Sequence, residues 1–171
     1  MLPPSQSKPI VLSIAGSDPS GGAGIQADIK TFHSFGVHGL TAITCVTSQV
    51  PGKVLNIEPV SISALKTQVD VLFSEYKISA IKTGLLFSSD LIKVLLSSLD
   101  NYHIQAPLVV DPVMVSTSGT QLLNRDALAL YIEELIPRST LYTPNLSEAA
   151  ILLGIESEGI KNPSECANLL Y

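Results

Sequence analysis

Short runs of aliphatic and β-branched residues alternate along the chain with longer segments in which apolar residues recur at helical spacing. The runs are almost wholly apolar, which is typical of strands that are buried on both faces of a parallel sheet. Their alternation with helical segments predicts an α/β fold with a mostly parallel sheet covered by helices. The predicted strands are residues 10–15, 40–46, 54–60, 78–83, 108–111 and 140–143.

The helices between these strands are predicted from apolar spacing together with residues that start or stop helices. Residues 47–53, which include a Pro-Gly pair, are predicted to form a loop. The predicted helices are 25–36, ended by Gly36; one capped by Ser61 or Ser63, with an apolar stripe from Leu65 to Tyr76; 89–99, capped by Ser89; one capped by Asn124, with Leu128, Ile132 and Leu135 in register, and ended by Pro137; one that includes 148–153 and is ended by Gly154; and one that opens at 162–164.

A length of 171 residues is that of a single domain with one core. Residues 1–9 contain no basic segment followed by an apolar one, so they are predicted to be a flexible leader and not a secretion signal. The domain is expected to cover residues 10–171. Because no strand follows the last predicted helix, we expect the C-terminal part of the fold to be missing.

Composition excludes several classes of protein. With 46% hydrophobic and 15% charged residues the chain should fold, and no apolar stretch is long enough for a membrane span. A net charge of −5 without a basic cluster disfavours nucleic acid as a partner. The only two cysteines, Cys45 and Cys166, fit neither a zinc site nor a disulfide framework. We therefore expect a cytoplasmic protein with reduced thiols.

Polar or glycine-rich segments follow four of the predicted strands. They are residues 16–24, 47–53, 111–119 and 143–148. In an open parallel sheet, ligands bind at the carboxyl ends of the strands, so these distant segments are predicted to form one site.

The segment 16–24 has four glycines between a strand and a helix. It is neither a dinucleotide-binding fingerprint nor a P-loop, because the glycine spacing differs from both and no Lys-Ser or Lys-Thr pair follows. Two interpretations stay open: a tight structural turn, or a loop that offers backbone amides to a ligand. Asp28, one turn into the helix, either stabilises the helix dipole or accepts a hydrogen bond from a ligand.

Three polar residues follow the later strands. Asp111 ends an apolar strand, where a carboxylate has no packing role, and this favours a function. Asn145 and Glu148 are three residues apart at the start of a helix. They can present oxygen atoms around Mg²⁺, or they can form the reciprocal hydrogen bonds of a helix capping box.

Taken together, these segments resemble the hydroxymethylpyrimidine kinase and hydroxymethylpyrimidine-phosphate kinase family of thiamine biosynthesis, within the ribokinase-like superfamily. The resemblance implies a three-layer α/β/α fold. The family reaction is ATP-dependent phosphorylation of 4-amino-5-hydroxymethyl-2-methylpyrimidine and then of its monophosphate. The matching segments are IAGSDPSGGAGIQADIK (14–30), GLTAITCVTSQ (39–49), IKTGLL (81–86), VVDPVMVSTSG (109–119) and TPNLSEA (143–149).

The resemblance also implies roles for individual residues. The loop at Gly16, the side chains of Asp28 and Gln49 and the backbone near Val113 correspond to the aminopyrimidine pocket. The amide of Gln49 suits this role, because it offers both a donor and an acceptor to a ring nitrogen and an exocyclic amine. The magnesium and phosphate side corresponds to Asp111, Asn145 and Glu148. Leu85 departs from the family, whose members often have methionine there.

ATP and Mg²⁺ are the cofactors that the resemblance implies, and a small aminopyrimidine and a second copy of the chain in a homodimer are the expected partners. The family's Lys-Gly-Gly stretch, adenine site and Gly-Thr-Gly anion hole are not present in these 171 residues. We therefore expect no catalytic residue in this chain. Two alternatives stay open: a truncated, non-catalytic paralogue that binds a pyrimidine or an intact subunit, and pyridoxal kinase, a relative in the same superfamily.

Overall fold

The structure is a computed structural model that describes residues 8–114, 123, 125–155, 160 and 162–170. Six strands form one sheet in the order β3-β2-β1-β4-β5-β6. The pairs are parallel except for β2 and β3, which form an antiparallel hairpin. The strands are β1 (Ile10–Ser17), β2 (His38–Val50), β3 (Lys53–Pro59), β4 (Ala80–Thr83), β5 (Leu108–Val110) and β6 (Leu141–Tyr142).

Helices cover both faces of this sheet. The helices α2, α3 and α4 contact one another in series, whereas α1 packs on β1 and β2. The helices are α1 (Gly24–Ser34), α2 (Ile62–Glu75), α3 (Ser89–Asn101), α4 (Arg125–Leu130, prolonged by a π-helical turn at Tyr131–Leu135 and a 3₁₀ turn at Ile136–Arg138), α5 (Leu146–Leu153) and α6 (Pro163–Leu170). The predicted α/β fold with a mostly parallel central sheet is confirmed.

The main core lies between the sheet and the layer of α2, α3 and α4. Leu12 and Ile14 of β1 are fully buried there against Leu65 of α2 and Leu95 of α3. Ser13, between them in sequence, faces the opposite side and contacts α1, because side chains alternate along a strand. Burial of this apolar layer fixes which face of β1 and β4 is turned toward α1.

The segment 47–53 is not the predicted loop. β2 continues to Val50, and a two-residue turn at Pro51 and Gly52 leads into β3. Gly52 has a φ of +79°, a conformation that glycine adopts without steric cost. Strand structure at residues 47–50 depends on pairing with β3, and pairing between strands leaves little trace in a short polar sequence.

Two serine caps are resolved by the structure. Ser61 caps α2, since its hydroxyl accepts a hydrogen bond from the amide of Ala64. Ser88, and not the predicted Ser89, caps α3 by accepting from the amide of Leu91. Adjacent serines are equally suited to this role, so the backbone geometry selects between them.

The helical path at α4 does not end at Pro137 as predicted but continues to Arg138. A proline disrupts an α-helix by removing a donor and by clashing with the preceding turn, but here it lies near the start of a 3₁₀ turn. The preceding π-helical turn also changes the register: Tyr131 is buried, whereas Ile132 is 39% exposed. The predicted cap Asn124 lies outside the described residues.

Candidate active site at the carboxyl ends of the strands

A cleft of about 730 Å³ opens at the carboxyl ends of the strands. It lies beside the point where the chain order reverses, between β1 and β4, and open α/β sheets bind ligands at such a point. The segments that were predicted to converge here all contribute to its lining. Each site residue predicted from the sequence lies on this cleft: Gly16, Asp28, Gln49, Asp111, Val113, Asn145 and Glu148.

The glycine-rich loop between β1 and α1 is organised around the carboxylate of Asp18. This carboxylate accepts hydrogen bonds from the backbone amides of Ser20 at 2.8 Å, Gly22 at 3.0 Å and Ala23 at 2.8 Å. The hydroxyl of Ser20 donates to it as well. Three amides of the loop are therefore already occupied, which supports a structural turn and not a loop whose amides are free for an anionic ligand.

Burial would by itself raise the pKa of Asp18, which is only 2% exposed. The hydrogen bonds from the hydroxyl of Ser20 and from the three amides outweigh burial and lower this pKa below its ordinary value. Asp18 is thus a charged group that belongs to the loop. It stands between Ser17 and Pro19 in a loop rich in glycine and serine, so sequence reasoning did not separate it from the rest of the loop.

Two glycines of this loop are required by close packing. Gly24 has a φ of +57°, and a Cβ there would collide with the carbonyl oxygen of Gly16. A Cβ at Gly16 would stand 2.8 Å from the Sγ of Cys45 on β2. The missing side chains let the loop fold back on the ends of β1 and β2 and leave the cleft open beside it.

Asp28 is held on the cleft wall by two partners from the sheet. Its Oδ2 accepts a hydrogen bond from the hydroxyl of Ser13 at 2.5 Å. The Nζ of Lys82 lies 3.2 Å from Oδ1 and 3.3 Å from Oδ2. Ser13 on β1 and Lys82 on β4 are paired in register, so both side chains stand on the face toward α1.

Lys82 also reaches Asp111. Its Nζ lies 3.2 Å from Oδ2 of Asp111, whose side chain is 35% exposed just after β5. Sequence reasoning missed both Ser13 and Lys82. The available signal was Ser13 as the single polar residue of the run 10–15 and Lys82 as the single charged residue of the run 78–83, since a buried polar group usually has a specific partner.

Gln49 reaches the cleft from the β2–β3 hairpin. The pairing register shifts between Ser48 and Gln49, so Leu55 of β3 is an extra residue at a bulge. The bulge turns Val54 to the same face as Ile57, and both line the cleft with Gln49. The half-buried amide of Gln49 is thus set among apolar neighbours.

Val113 lies on the opposite wall, after β5. Its amide donates to the carbonyl of Asp111 at 2.9 Å, which forms a tight turn. The hydroxyl of the buried Tyr131 donates to the same carbonyl at 3.2 Å. This arrangement fixes the backbone that carries Asp111 and Val113 into the cleft.

Asn145 and Glu148 form the capping box at the start of α5, one of the two interpretations of their spacing. Oδ1 of Asn145 accepts from the amide of Glu148 at 3.0 Å, and Oε2 of Glu148 accepts from the amide of Asn145 at 2.9 Å. Oε1 of Glu148 accepts from the amide of Met114 at 3.4 Å. Both residues nevertheless line the cleft, so the cap does not remove them from the site.

Burial raises the pKa of Glu148, which is 3% exposed. The amides of Asn145 and Met114 oppose this shift, and the negative charge of Asp111 adds to it. The charge of Asp111 therefore acts on Glu148 from the same wall of the cleft.

Among the described residues, no group of three or more histidine, cysteine, aspartate or glutamate side chains could by itself hold a metal ion. Asp111 and Glu148 still provide carboxylate oxygens on one wall of the cleft. This donor set fits Mg²⁺ in the form that is common in phosphoryl-transfer sites, where one or two carboxylates share the ion with water and substrate phosphates. It does not form a complete protein cage.

An open, mostly parallel sheet with a cleft at its switch point defines a class of α/β proteins that bind small molecules. Within this class, the family model for phosphomethylpyrimidine kinase matches residues 18–171. The chain therefore belongs to the phosphomethylpyrimidine kinase family.

Individual relatives agree with this family. The chain is 47% identical over 145 residues to a hydroxymethylpyrimidine/phosphomethylpyrimidine kinase of Rhizobium meliloti. The matched region covers 85% of this chain and 54% of the relative. The chain thus spans about half the length of that relative.

Solved structures of two related kinases are similar as well. A crystal structure of phosphomethylpyrimidine kinase from Clostridium difficile has a TM-score of 0.84 and 39% identity over 95% of this chain and 68% of its own. An ADP complex of Bacillus subtilis pyridoxal kinase has a TM-score of 0.83 and 32% identity over 96% of this chain and 61% of its own. The fold is therefore shared by both kinase types, and the ribokinase-like architecture expected from the resemblance is confirmed.

None of the helices in the described part of the chain is both long and apolar enough to cross a membrane.

Proposed function

We propose that the cleft binds 4-amino-5-hydroxymethyl-2-methylpyrimidine and its monophosphate, and that this chain takes part in their ATP-dependent phosphorylation in thiamine biosynthesis. The observation that carries the proposal is the meeting of Asp28, Gln49 and Asp111 at one cleft in a chain of the phosphomethylpyrimidine kinase family. A cytoplasmic location is part of the proposal. It is supported by the free, buried thiols of Cys45 and Cys166.

The chemistry of the two polar groups suits an aminopyrimidine. A carboxylate only accepts hydrogen bonds, so Asp28 can accept from an exocyclic amine, and its oxygens retain acceptor sites beyond those used by Ser13 and Lys82. The amide of Gln49 can donate to a ring nitrogen and accept from the amine. The apolar neighbours Val54, Ile57 and Leu85 provide surface for the flat ring.

We assign ATP with Mg²⁺ to the wall that carries Asp111, Asn145 and Glu148. When bound, Mg²⁺ would neutralise phosphate charge during phosphoryl transfer. Asp111 is the more accessible of the two carboxylates, whereas both oxygens of Glu148 accept amides. Asp111 is therefore the residue that we expect to face the ion, and Glu148 fixes the wall behind it.

The first experiment is titration calorimetry of the protein with the hydroxymethylpyrimidine. Losing a buried hydrogen-bond pair costs on the order of 1–3 kcal/mol, so Gln49→Ala should weaken binding by roughly ten- to a hundredfold. Ser48→Ala, an exposed neighbour outside the cleft lining, is the matched control and should bind like the unmodified protein. Unchanged affinity in Gln49→Ala would remove Gln49 from the site.

The same titration separates the alternatives. Pyridoxal kinase is favoured by one observation, the similarity to the Bacillus subtilis structure, and would require tighter binding of pyridoxal than of the pyrimidine. A separate coupled assay completes the comparison: pyrimidine binding without any ATP-dependent release of ADP would instead support a non-catalytic binding protein.

The second experiment concerns Asp111. Asp111→Asn should weaken binding of ADP with Mg²⁺ by at least about tenfold, because a neutral amide is a poorer ligand for a divalent cation. The melting temperature should change little, since the side chain of Asp111 is partly exposed and does not cap a helix. A loss of stability that matches the loss of nucleotide binding would indicate a structural role.

A homodimer is a separate proposal, which light scattering on the purified protein tests.

A further inference from the structure

Lys82 is placed between two carboxylates of the cleft that come from different elements. Its Nζ lies 3.2 Å from Asp28 of α1 and 3.2 Å from Asp111, which follows β5. The lysine side chain is 21% exposed and those of Asp28 and Asp111 are 15% and 35% exposed, so the ion pairs are partly buried. One ammonium group thus joins the wall predicted to bind the pyrimidine to the wall predicted to bind phosphate.

The position of this ammonium group is built into the sheet. β4 is an inner strand, paired with β1 on one side and β5 on the other, so the backbone at Lys82 cannot shift freely. Ser13 stands beside Lys82 and donates to the same carboxylate. A Cβ at Gly84 would lie 3.2 Å from Nζ, so the glycine leaves the space that the lysine occupies.

Without this ammonium group, Asp28 and Asp111 would face each other across the cleft as two negative charges. Two carboxylates that both contact one ammonium group are close enough to attract a divalent cation, because oxygen ligands of this type bind Mg²⁺ and Mn²⁺. Lys82 occupies the space between them with a fixed positive charge. Opposite charges at this distance attract each other more strongly in a partly buried site than in water.

We propose that Lys82 is a positioning residue that acts as an internal counter-ion. It holds Asp28 on the pyrimidine side and keeps a free divalent cation from binding between Asp28 and Asp111, so that the cation enters the cleft only together with nucleotide phosphates. This inference rests on the proposed function for the identity of the substrates. The ion pairs themselves do not depend on it.

The experiment uses Mn²⁺ alone as the probe, measured by electron paramagnetic resonance of the free ion during titration of the protein. The unmodified protein should show no site tighter than the millimolar range. Lys82→Met should bind Mn²⁺ at least about tenfold more tightly, because a neighbouring positive charge is removed from two carboxylates. A general structural defect would not increase metal affinity.

Three further variants identify the cause. Lys82→Arg retains the charge and should bind Mn²⁺ as weakly as the unmodified protein. Lys93→Met removes a lysine from an exposed pair with Asp90 on α3, outside the cleft lining, and should cause no change. Adding Asp111→Asn to Lys82→Met should abolish the gained affinity.

The proposal is overturned if Lys82→Met binds Mn²⁺ no more tightly than Lys93→Met. If Lys82→Met does not fold, titration of the unmodified protein keeps the proposal falsifiable: a micromolar Mn²⁺ site that Asp111→Asn removes would contradict it. Failure of the proposed function is read separately, since it appears as a lack of pyrimidine binding and leaves the Mn²⁺ titrations unaffected.

Discussion

We expect the carboxylate of Asp18 to contribute more to the stability of the glycine-rich loop than the side chains that face the cleft. The variant Asp18→Asn tests the contribution of this carboxylate. An asparagine side chain has one acceptor oxygen where the carboxylate has two. In its better orientation it can keep the amides of Gly22 and Ala23, but its NH₂ group then faces the amide of Ser20, which loses its acceptor. The hydrogen bonds that remain also lose their charge assistance.

The magnitude follows from these contacts. A hydrogen bond to a charged group contributes about 1.5–3 kcal/mol, so losing one and weakening two should lower the free energy of unfolding by about 2–4 kcal/mol. For a chain of this size, that corresponds to a fall of roughly 5–15 °C in melting temperature. Such a loss is a large fraction of the roughly 5–15 kcal/mol that stabilises a typical domain.

Urea unfolding followed by circular dichroism at pH 7 measures this loss. The matched control is Asp90→Asn in the first turn of α3, where the carboxylate is 61% exposed and 3.8 Å from Lys93. Breaking an exposed pair of this kind costs about 0–1 kcal/mol. Equal midpoints for Asp18→Asn and Asp90→Asn would refute the role of Asp18.

The pH dependence provides a second check. Because the pKa of Asp18 is lowered in the folded protein, the charged carboxylate stabilises the fold above about pH 3.9, the ordinary pKa of aspartate, and this stabilisation is lost as the pH falls through the lowered value. The difference between the unmodified protein and Asp18→Asn should therefore shrink below about pH 3.9. A difference that stays constant from pH 7 to pH 3 would also contradict the argument.

Two further predictions concern stability. Gly24→Ala should lower the free energy of unfolding by at least about 3 kcal/mol in urea, because a positive φ and a collision with the Gly16 carbonyl act together. Gly36→Ala is the control, with a positive φ but open space around it, and should cost about 1–2 kcal/mol. Similar losses in the two variants would show that the collision is relieved. Glu148→Gln can keep the capping box. Burial raises the pKa of Glu148 in the folded protein, so the charged carboxylate is less favourable there than in the unfolded chain. The unmodified protein should therefore lose stability relative to this variant as the pH rises from about 4.3, the ordinary pKa of glutamate, through the raised value. A pH-independent difference between the two would indicate that Glu148 is not destabilised by its charge.

The periodicity of the chain was sufficient to predict the fold class and the place of the cleft. The run 10–15 is largely buried on both faces, and the run 108–110 has two buried residues around a half-buried one, so their apolar character identifies them as inner strands. Parallel strands then bring their carboxyl ends to one edge, and this property of the topology gathers Gly16, Gln49 and Asp111 at one cleft.

Where two local structures are equally compatible with the residues, tertiary contacts made the choice. Residues 47–50 form a strand only because β3 pairs with them. The helical path continues past Pro137 because a π-helical turn precedes this proline and the proline itself lies in a 3₁₀ turn. Asn145 and Glu148 could serve as a cap or as oxygen ligands, and the reciprocal hydrogen bonds that they form follow from the path of the backbone at the start of α5.

The charges of the site show the same division. The sequence identified Asp28 and Asp111 individually, because Asp28 lies in the first turns of a helix after a glycine-rich loop and Asp111 ends an apolar strand. The lysine that joins them lies 54 residues from Asp28 along the chain, and nothing in the local sequence relates the two. Their contact arises because β1 and β4 are adjacent and in register, so that Ser13 and Lys82 stand on one face beneath α1. Adjacency of strands is set by how the whole sheet packs, and that is a property of the tertiary structure alone.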